Sequence, residues 1–158
     1  MDKLVTFFTP TYNRAHILHR CYESLCAQTS YDFKWLIVDD GSTDDTAAVV
    51  KELQERTTAF QVDYLQKPNG GKHTALNYSH PYISGAYVVI LDSDDTLVPG
   101  AVETILAKWT LFADNLEVGR IIFLKGFGVD NPICQVAHPG IPVDTLKESR
   151  IGTVGRCT

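Results

Sequence analysis

Apolar positions along the chain fall into short unbroken runs that alternate with stretches of helical spacing. Leu4–Phe8 is strand-sized and ends in Thr9-Pro10-Thr11, which predicts a strand entering a stiff loop. Ile17, Leu18, Cys21, Tyr22 and Leu25 recur with helical period, predicting an amphipathic helix from about Ala15 to Gln28. Trp35–Val38 is a continuous run that stops at Asp39-Asp40-Gly41-Ser42 and reads as a buried strand. Thr43-Asp44-Asp45-Thr46 then offers an N-cap and an acidic first turn for a helix through about Glu55. Phe60, Val62 and Tyr64 alternate with polar residues as a third strand. Pro68-Asn69-Gly70-Gly71 is a loop, followed by a short helix over Lys72–Tyr78 halted by Pro81. Tyr87–Leu91 makes a fourth strand and stops at Asp92-Ser93-Asp94-Asp95. Val102, Ile105, Leu106 and Trp109 mark a further helix opened by Pro99 as a first-turn proline, and Ile121–Leu124 makes a fifth strand.

Strands and helices therefore alternate throughout, and the strands other than the third are continuous apolar runs. That combination predicts an α/β fold with a mainly parallel sheet and helices on both faces. Four polar clusters, Thr9–Arg14, Asp39–Thr46, Asn69–Lys72 and Asp92–Asp95, each follow the carboxyl end of a strand. Open α/β sheets bind their ligands at that edge. From Gly126 onward the pattern changes: five glycines and three prolines interrupt it, and periodicity fades. The expectation is a core over residues 1–125 and an irregular tail over 126–158 that begins an incomplete further region.

Composition narrows the function. The 158 residues are enough for one domain, and Lys+Arg 14 against Asp+Glu 19 leave a net charge of -5. That balance argues against a nucleic-acid binder that works by neutralising phosphates. No apolar run approaches the ~18 residues of a membrane span, and the N-terminal run is too short for a signal peptide, so the expectation is a cytoplasmic protein. Cys21, Cys26, Cys134 and Cys157 form no C-x-x-C pair and read as reduced thiols. His16 and His19 lack a nearby third ligand and read as solvent-facing.

The clusters carry the chemistry. Three carboxylates within Asp92–Asp95 repel one another unless a cation or donors neutralise them, which suits an oxygen-liganded Mn²⁺ or Mg²⁺; the alternative is a solvated turn. Asn69-Gly70-Gly71-Lys72 lets a ligand approach the backbone and supplies a lysine for phosphate, although it is neither a Walker A loop nor G-x-G-x-x-G. Asp40 suits the N–H of a base or a sugar hydroxyl, and otherwise only shapes a turn. Tyr12 suits stacking on a base, and otherwise is a half-buried loop aromatic. A stacking ring, an acidic base reader, a lysine and an acidic cluster together describe a pocket for a nucleoside diphosphate.

In order and spacing, Thr9-Pro10-Thr11-Tyr12-Asn13-Arg14, Val38–Thr46, Asn69–Asn77 and Leu91–Asp95 resemble the family 2 glycosyltransferases over about residues 3–115. The resemblance implies a Rossmann-like GT-A nucleotide-diphospho-sugar transferase fold. It further implies a UDP-linked sugar donor, a Mn²⁺ or Mg²⁺ ion, and transfer with inversion to a saccharide or lipid-linked acceptor in cell-surface polysaccharide synthesis. Carried over by residue, Thr9, Pro10 and Tyr12 hold the uridine, Asp40 reads the uracil, and Lys72 lies near the diphosphate. Asp92 and Asp94 contact ribose and metal, with Asp94 or Asp95 the direct metal ligand, and Arg14, Asn77 and Ser93 complete the donor set. The family's general base comes from beyond the acidic strand end. Here Asp130, Asp144 and Glu148 are the acids beyond Lys125, and none sits in a recognisable family motif, so the base is expected to lie outside this chain. Pro81 and Ala86 are smaller departures.

Two other readings follow from the residues. A donor-binding half without its acceptor half is a nucleotide-sugar-binding fragment that does not transfer. Val88–Leu97 also resembles the first motif of haloacid-dehalogenase-like phosphatases, with Asp92 as nucleophile and Asp94 as acid/base. An apolar Ile121–Leu124 left uncovered predicts self-association, and peripheral attachment to a membrane is compatible with a lipid-linked acceptor.

Overall fold

Four of the apolar runs pair in parallel. The computed structural model describes residues 5–111, 120–122, 126–127, 131–132 and 153–156. Strands β1 (Val5–Thr11), β2 (Phe33–Asp39), β3 (Gln61–Gln66) and β4 (Tyr87–Ile90) lie in the order β3-β2-β1-β4. The register is fixed by pairs such as Phe7 with Trp35 and with Val89. The connections are α1 (Leu18–Cys26), α2 (Thr46–Arg56) and α3 (Lys72–Ser79), the last extended by a 3₁₀ turn at His80–Tyr82; α4 (Ala101–Leu111) follows β4.

Because side chains on a strand alternate between faces, each strand feeds two cores. Val5 and Phe7, Phe33, Trp35 and Ile37, and Val89 point to one side, where Leu18, Cys21 and Leu25 of α1, Val50 of α2, and Ile105 and Trp109 of α4 cover them. Trp35 stacks on Tyr22 and Trp109 on Tyr87, with ring centroids 6.4 and 4.8 Å apart. Each such buried side chain contributes on the order of 2 kcal/mol of transfer free energy. Phe8, Leu36 and Val38 point to the other side, under Ala75 of α3. The helices therefore occupy both faces, as the pattern predicts.

The last strands depart from expectation. β5 (Arg120–Ile122) starts one residue earlier than expected, and Phe123 and Leu124 lie outside the described residues. β8 (Thr153–Arg156) comes from the segment read as an irregular tail, and it inserts antiparallel between β4 and β5. Since β5 is antiparallel to β8, it runs with β4, and β8 alone opposes the other strands of the six-stranded sheet. β6 (Gly126–Phe127) and β7 (Asn131–Pro132) form a separate antiparallel pair. The tail residues Asp144, Glu148, Cys134 and Cys157, and Asp130 in the β6–β7 connection, lie outside the described residues.

Helix starts also shift inward. The amides of Ile17 and Leu18 both donate to the Arg14 carbonyl, at 3.0 and 3.1 Å. This tight turn delays α1 to Leu18 and leaves His16 off the helix, so His16 and His19 share no helical face. α2 begins at Thr46, so Asp44 and Asp45 precede it and no acid occupies its first turn. α4 begins at Ala101 because Gly100 takes φ 76°, a left-handed conformation no first helical turn accepts; Pro99 is thus outside it. Gln28 receives the incoming α4: its amide nitrogen donates to the carbonyls of Ser24 and Val98, and its oxygen accepts from the Val102 amide at 3.2 Å. Among the described residues no helix is long and apolar enough to cross a membrane.

Candidate functional site

The connection from β1 to β2 leads to one side of β1, and β4 arrives on the other side. The carboxyl ends of β1 and β4 therefore diverge into a crevice, the place where such sheets take ligands. A cavity of about 340 Å³ lies there, lined by Pro10, Thr11, Tyr12, Arg14, Asp40, Lys72, Asp92, Ser93 and Asp94.

The β1–α1 loop forms the first wall. Asn13 sits at φ 53°, a left-handed conformation that asparagine tolerates better than most residues. Its amide donates to Ser42 Oγ at 2.8 Å, and its Oδ1 accepts from the Thr43 amide at 2.8 Å. The Arg14 amide donates to Thr46 Oγ1 at 3.2 Å and the Ala15 amide to Asp44 Oδ2 at 3.1 Å. These bonds stitch the first loop to the β2–α2 loop and hold Tyr12, whose residue is 47% exposed, at the crevice mouth. The Thr46 hydroxyl and the Ala15 and Thr46 amides hold the Asp44 carboxyl below the usual carboxylate range against a smaller opposing effect of burial.

The second wall is the pair Asp39-Asp40. Asp39 is fully buried and faces away from the cavity: Oδ1 accepts from the Ser42 amide at 2.7 Å and Oδ2 from the Tyr64 hydroxyl at 2.6 Å. Burial, with the Asp39 carboxylate, pushes the Tyr64 hydroxyl well up. Asp40 faces the next loop. Its carboxylate accepts from Lys67 Nζ, from the Gly70 amide at 3.1 Å and from the Gly71 amide at 2.6 Å. Burial alone would raise this carboxyl, but Lys67 and the two amides together hold it below the usual range. Gly41 makes the turn possible: it sits at φ +79°, and a Cβ there would lie 2.8 Å from the Asn69 nitrogen.

The third wall is the acidic turn after β4, where the Asp95 amide donates to the Asp92 carbonyl at 2.9 Å. Lys72, at the start of α3, reaches across the crevice and pairs with Asp92 Oδ1 at 2.5 Å. Charges of both signs thus face each other over the cavity, with Asp94 exposed beside them. Carboxylate oxygens are hard ligands suited to Mn²⁺ or Mg²⁺. Among the described residues no group of three or more His, Cys, Asp or Glu forms a closed metal site. One or two carboxylates completed by diphosphate oxygens and water is the usual arrangement for such an ion, so Asp92 and Asp94 fit it.

Of the residues expected from sequence, the structure brings together Pro10, Tyr12, Arg14, Asp40, Lys72, Asp92, Ser93 and Asp94. Three stand apart from the lining. Thr9 is buried, and its Oγ1 accepts from Trp35 Nε1 at 2.8 Å. Asn77 lies exposed on α3, and Asp95 sits beyond the cavity wall. Sequence reasoning missed Lys67, Thr11 and Asn13. Lys67 follows the end of β3, where a solvated lysine is ordinary, and only its contact with Asp40 sets it apart. Thr11 and Asn13 were visible inside the first motif, but no spacing rule separates residues that touch a ligand from those that brace the loop.

Comparison with known proteins identifies the family and the fold. The profile described as "Glycosyl transferase family 2" matches residues 6–132. Chondroitin synthase of Pasteurella multocida (strain Pm70) is 39% identical over 106 residues, covering 67% of this chain and 11% of that protein. The GalNAc(5)-diNAcBac-PP-undecaprenol beta-1,3-glucosyltransferase of Campylobacter jejuni is 36% identical over 112 residues, covering 68% of this chain and 35% of that protein. The chain thus spans about a third or less of these relatives. Among solved structures, the mannosyltransferase PcManGT from Pyrobaculum calidifontis, in complex with GDP-Man and Mn²⁺, superposes with TM-score 0.66 at 27% identity, covering 77% of this chain and 35% of that one. TarS 1-349 of S. aureus, in complex with UDP-GlcNAc, gives TM-score 0.62 at 25% identity, covering 79% and 35%.

Proposed function

The chain belongs to glycosyl transferase family 2 and has the GT-A fold, and from that premise we propose that it binds a UDP-linked sugar and serves an inverting transfer to a saccharide or lipid-linked acceptor in glycan synthesis. The observation that carries the reading is the cavity between β1 and β4, with an exposed ring on one wall, a buried carboxylate on the second and an acidic turn on the third. Tyr12 stacks on the base, and Asp40 offers its carboxylate to a base N–H. Lys72 and Arg14 face the diphosphate; Lys72 exchanges its hold on Asp92 for phosphate oxygens. Asp92, Ser93 and Asp94 receive the ribose and the cation, with Asp94 the direct ligand and Asp95 its neighbour in the turn.

When bound, a Mn²⁺ or Mg²⁺ ion supplies positive charge to the departing diphosphate. The chain's own residues hold the nucleotide so that the anomeric carbon faces the acceptor, while Lys72 adds charge where the leaving group develops it. Residues 1–125 form the donor-binding core in this reading, and 126–158 belong to the acceptor side. Attack by an acceptor hydroxyl also needs a base, which we assign outside the donor set. Family membership sets aside the phosphatase reading of Asp92.

Calorimetric titration of UDP with and without Mn²⁺, on the chain and on Asp94→Asn, tests the proposal. Metal-dependent binding that D94N reduces at least tenfold supports it. Binding with slow hydrolysis of a UDP-sugar adds a working transfer site, whereas binding without turnover supports a donor-binding fragment. No UDP binding under either condition refutes it.

A further inference from the structure

Two backbone segments tied to the sheet present Lys72 and Asp92 to each other. The Gly70 and Gly71 amides are held by Asp40, and the Gly71 carbonyl accepts from the Thr74 and Ala75 amides, which fixes the start of α3 at Lys72. On the opposite wall the Leu91 amide donates to the Phe8 carbonyl at 2.9 Å, and the Asp92 carbonyl closes the acidic turn with the Asp95 amide. Lys72 Nζ meets Asp92 Oδ1 at 2.5 Å across this gap. Arg14, the other cation lining the cavity, makes no ion pair among the described residues. The contact is therefore particular to Lys72, and the carboxylate it covers is one of the two that fit a divalent cation.

An ammonium group on Asp92 opposes a divalent cation in two ways. It occupies an oxygen that the ion needs, and its charge repels the ion across the same cavity. A diphosphate reverses both effects, because its oxygens draw the ammonium away and add ligands of their own. We propose that Lys72 masks the cation site of the empty pocket and releases Asp92 to the ion when a nucleoside diphosphate takes the lysine. The inference rests on the nucleotide-binding reading above and adds an order to it. The pocket takes the ion weakly alone, and tightly with the diphosphate or after it. Such coupling is reciprocal, so whatever the nucleotide adds to cation affinity the cation adds to nucleotide affinity.

Lys72→Met removes the masking charge, and Arg14→Met removes a charge from the same cavity that pairs with no carboxylate. The test is Mn²⁺ uptake without nucleotide, read from the electron paramagnetic resonance of the free ion, on wild type, K72M, R14M, D92N and K72M/D92N. UDP is titrated alongside, with and without Mn²⁺. K72M should bind Mn²⁺ about three- to tenfold more tightly than wild type, while R14M stays within about twofold of it. The gain should vanish once Asp92 is replaced, so that K72M/D92N matches D92N. Without Mn²⁺, UDP should bind K72M more weakly than wild type, and these opposite signs exclude a general loss of structure. Mn²⁺ uptake by K72M that is absent, unchanged or weaker overturns the inference. An equal gain in R14M, or a gain that survives in the D92N background, also overturns it, because the charge of the cavity and not the ion pair then sets the affinity. UDP affinity unchanged in K72M overturns it too, since the diphosphate then does not take the lysine. In each of these cases, UDP binding by the wild-type chain leaves the nucleotide-binding reading standing. A wild-type chain that binds no UDP, with or without Mn²⁺, refutes that reading and the inference with it.

Discussion

Asp40 stays ionised although its side chain is only 7% exposed, and the reason is a cation that the sequence does not single out. Lys67, itself 10% exposed at the side chain, pairs with it, and the Gly70 and Gly71 amides share the remaining charge. Lys67→Met leaves a buried carboxylate with only the amides, and stability at pH 7 should fall by about 3 kcal/mol. The pH dependence fixes the cause. The folded Asp40 carboxyl lies below its unfolded value of about 3.9, so its contribution is full above that value and is lost as pH falls through the folded one. Urea unfolding at pH 7, 5 and 3 should therefore show the gap between wild type and K67M narrowing towards acid. A gap independent of pH would mean that Lys67 acts only by packing. At this scale the sequence was partly legible. A pair of carboxylates at a strand end announces itself, but which of the two faces the ligand loop depends on strand alternation continuing through Asp39, which turns inward to Tyr64.

Between elements, the site depends on loops that brace each other. Asn13 contributes a left-handed backbone and an acceptor for the Thr43 amide, and the two contributions are separable. Asn13→Gly keeps the conformation and loses the acceptor, whereas Asn13→Ala loses both. N13A should be less stable than N13G by about 1 kcal/mol, and both should weaken UDP binding because Tyr12 loses its anchor. Equal stability would show that the conformation carries no strain. Gln28 braces the region beneath the acidic turn in the same way, joining α1 to the start of α4 through three hydrogen bonds. Gln28→Leu preserves volume but removes the acceptor of the Val102 amide and one of the two donors to the Val98 carbonyl, which keeps the Ala101 amide, at about 2 kcal/mol measured by denaturant unfolding. Periodicity located these helices, because α1 and α4 bury regular apolar stripes. It misplaced their first residues, because starts were decided by the Arg14 turn and by Gly100 rather than by Ala15 or Pro99.

Across the whole molecule, the order β3-β2-β1-β4 follows from alternating strands and helices, and it alone locates the crevice. The part that sequence did not disclose is β8. Four residues in a glycine-containing segment carry no periodic signal, and their pairing with β4 joins residues as distant as Tyr87 and Arg156. Yet β8 covers the edge of β4, the strand whose end carries Asp92, and it links β5 to the sheet. An uncovered β4 would present unpaired amides and carbonyls to any other chain. Deleting residues 151–158 should therefore lower the thermal midpoint by several degrees, since each kcal/mol is worth about 3 °C in a chain of this size. It should also shift the protein towards larger species in size-exclusion chromatography with light scattering, relative to the full chain. UDP affinity should fall as well, and by a larger factor than uridine affinity. The β1–β2 wall proposed to hold the nucleoside keeps its own pairing, whereas the acidic turn proposed to face the diphosphate follows β4, which loses its β8 neighbour. Equal losses for UDP and uridine would instead mean that the whole crevice collapses with the strand, and that β8 holds the site as a unit rather than its acidic side.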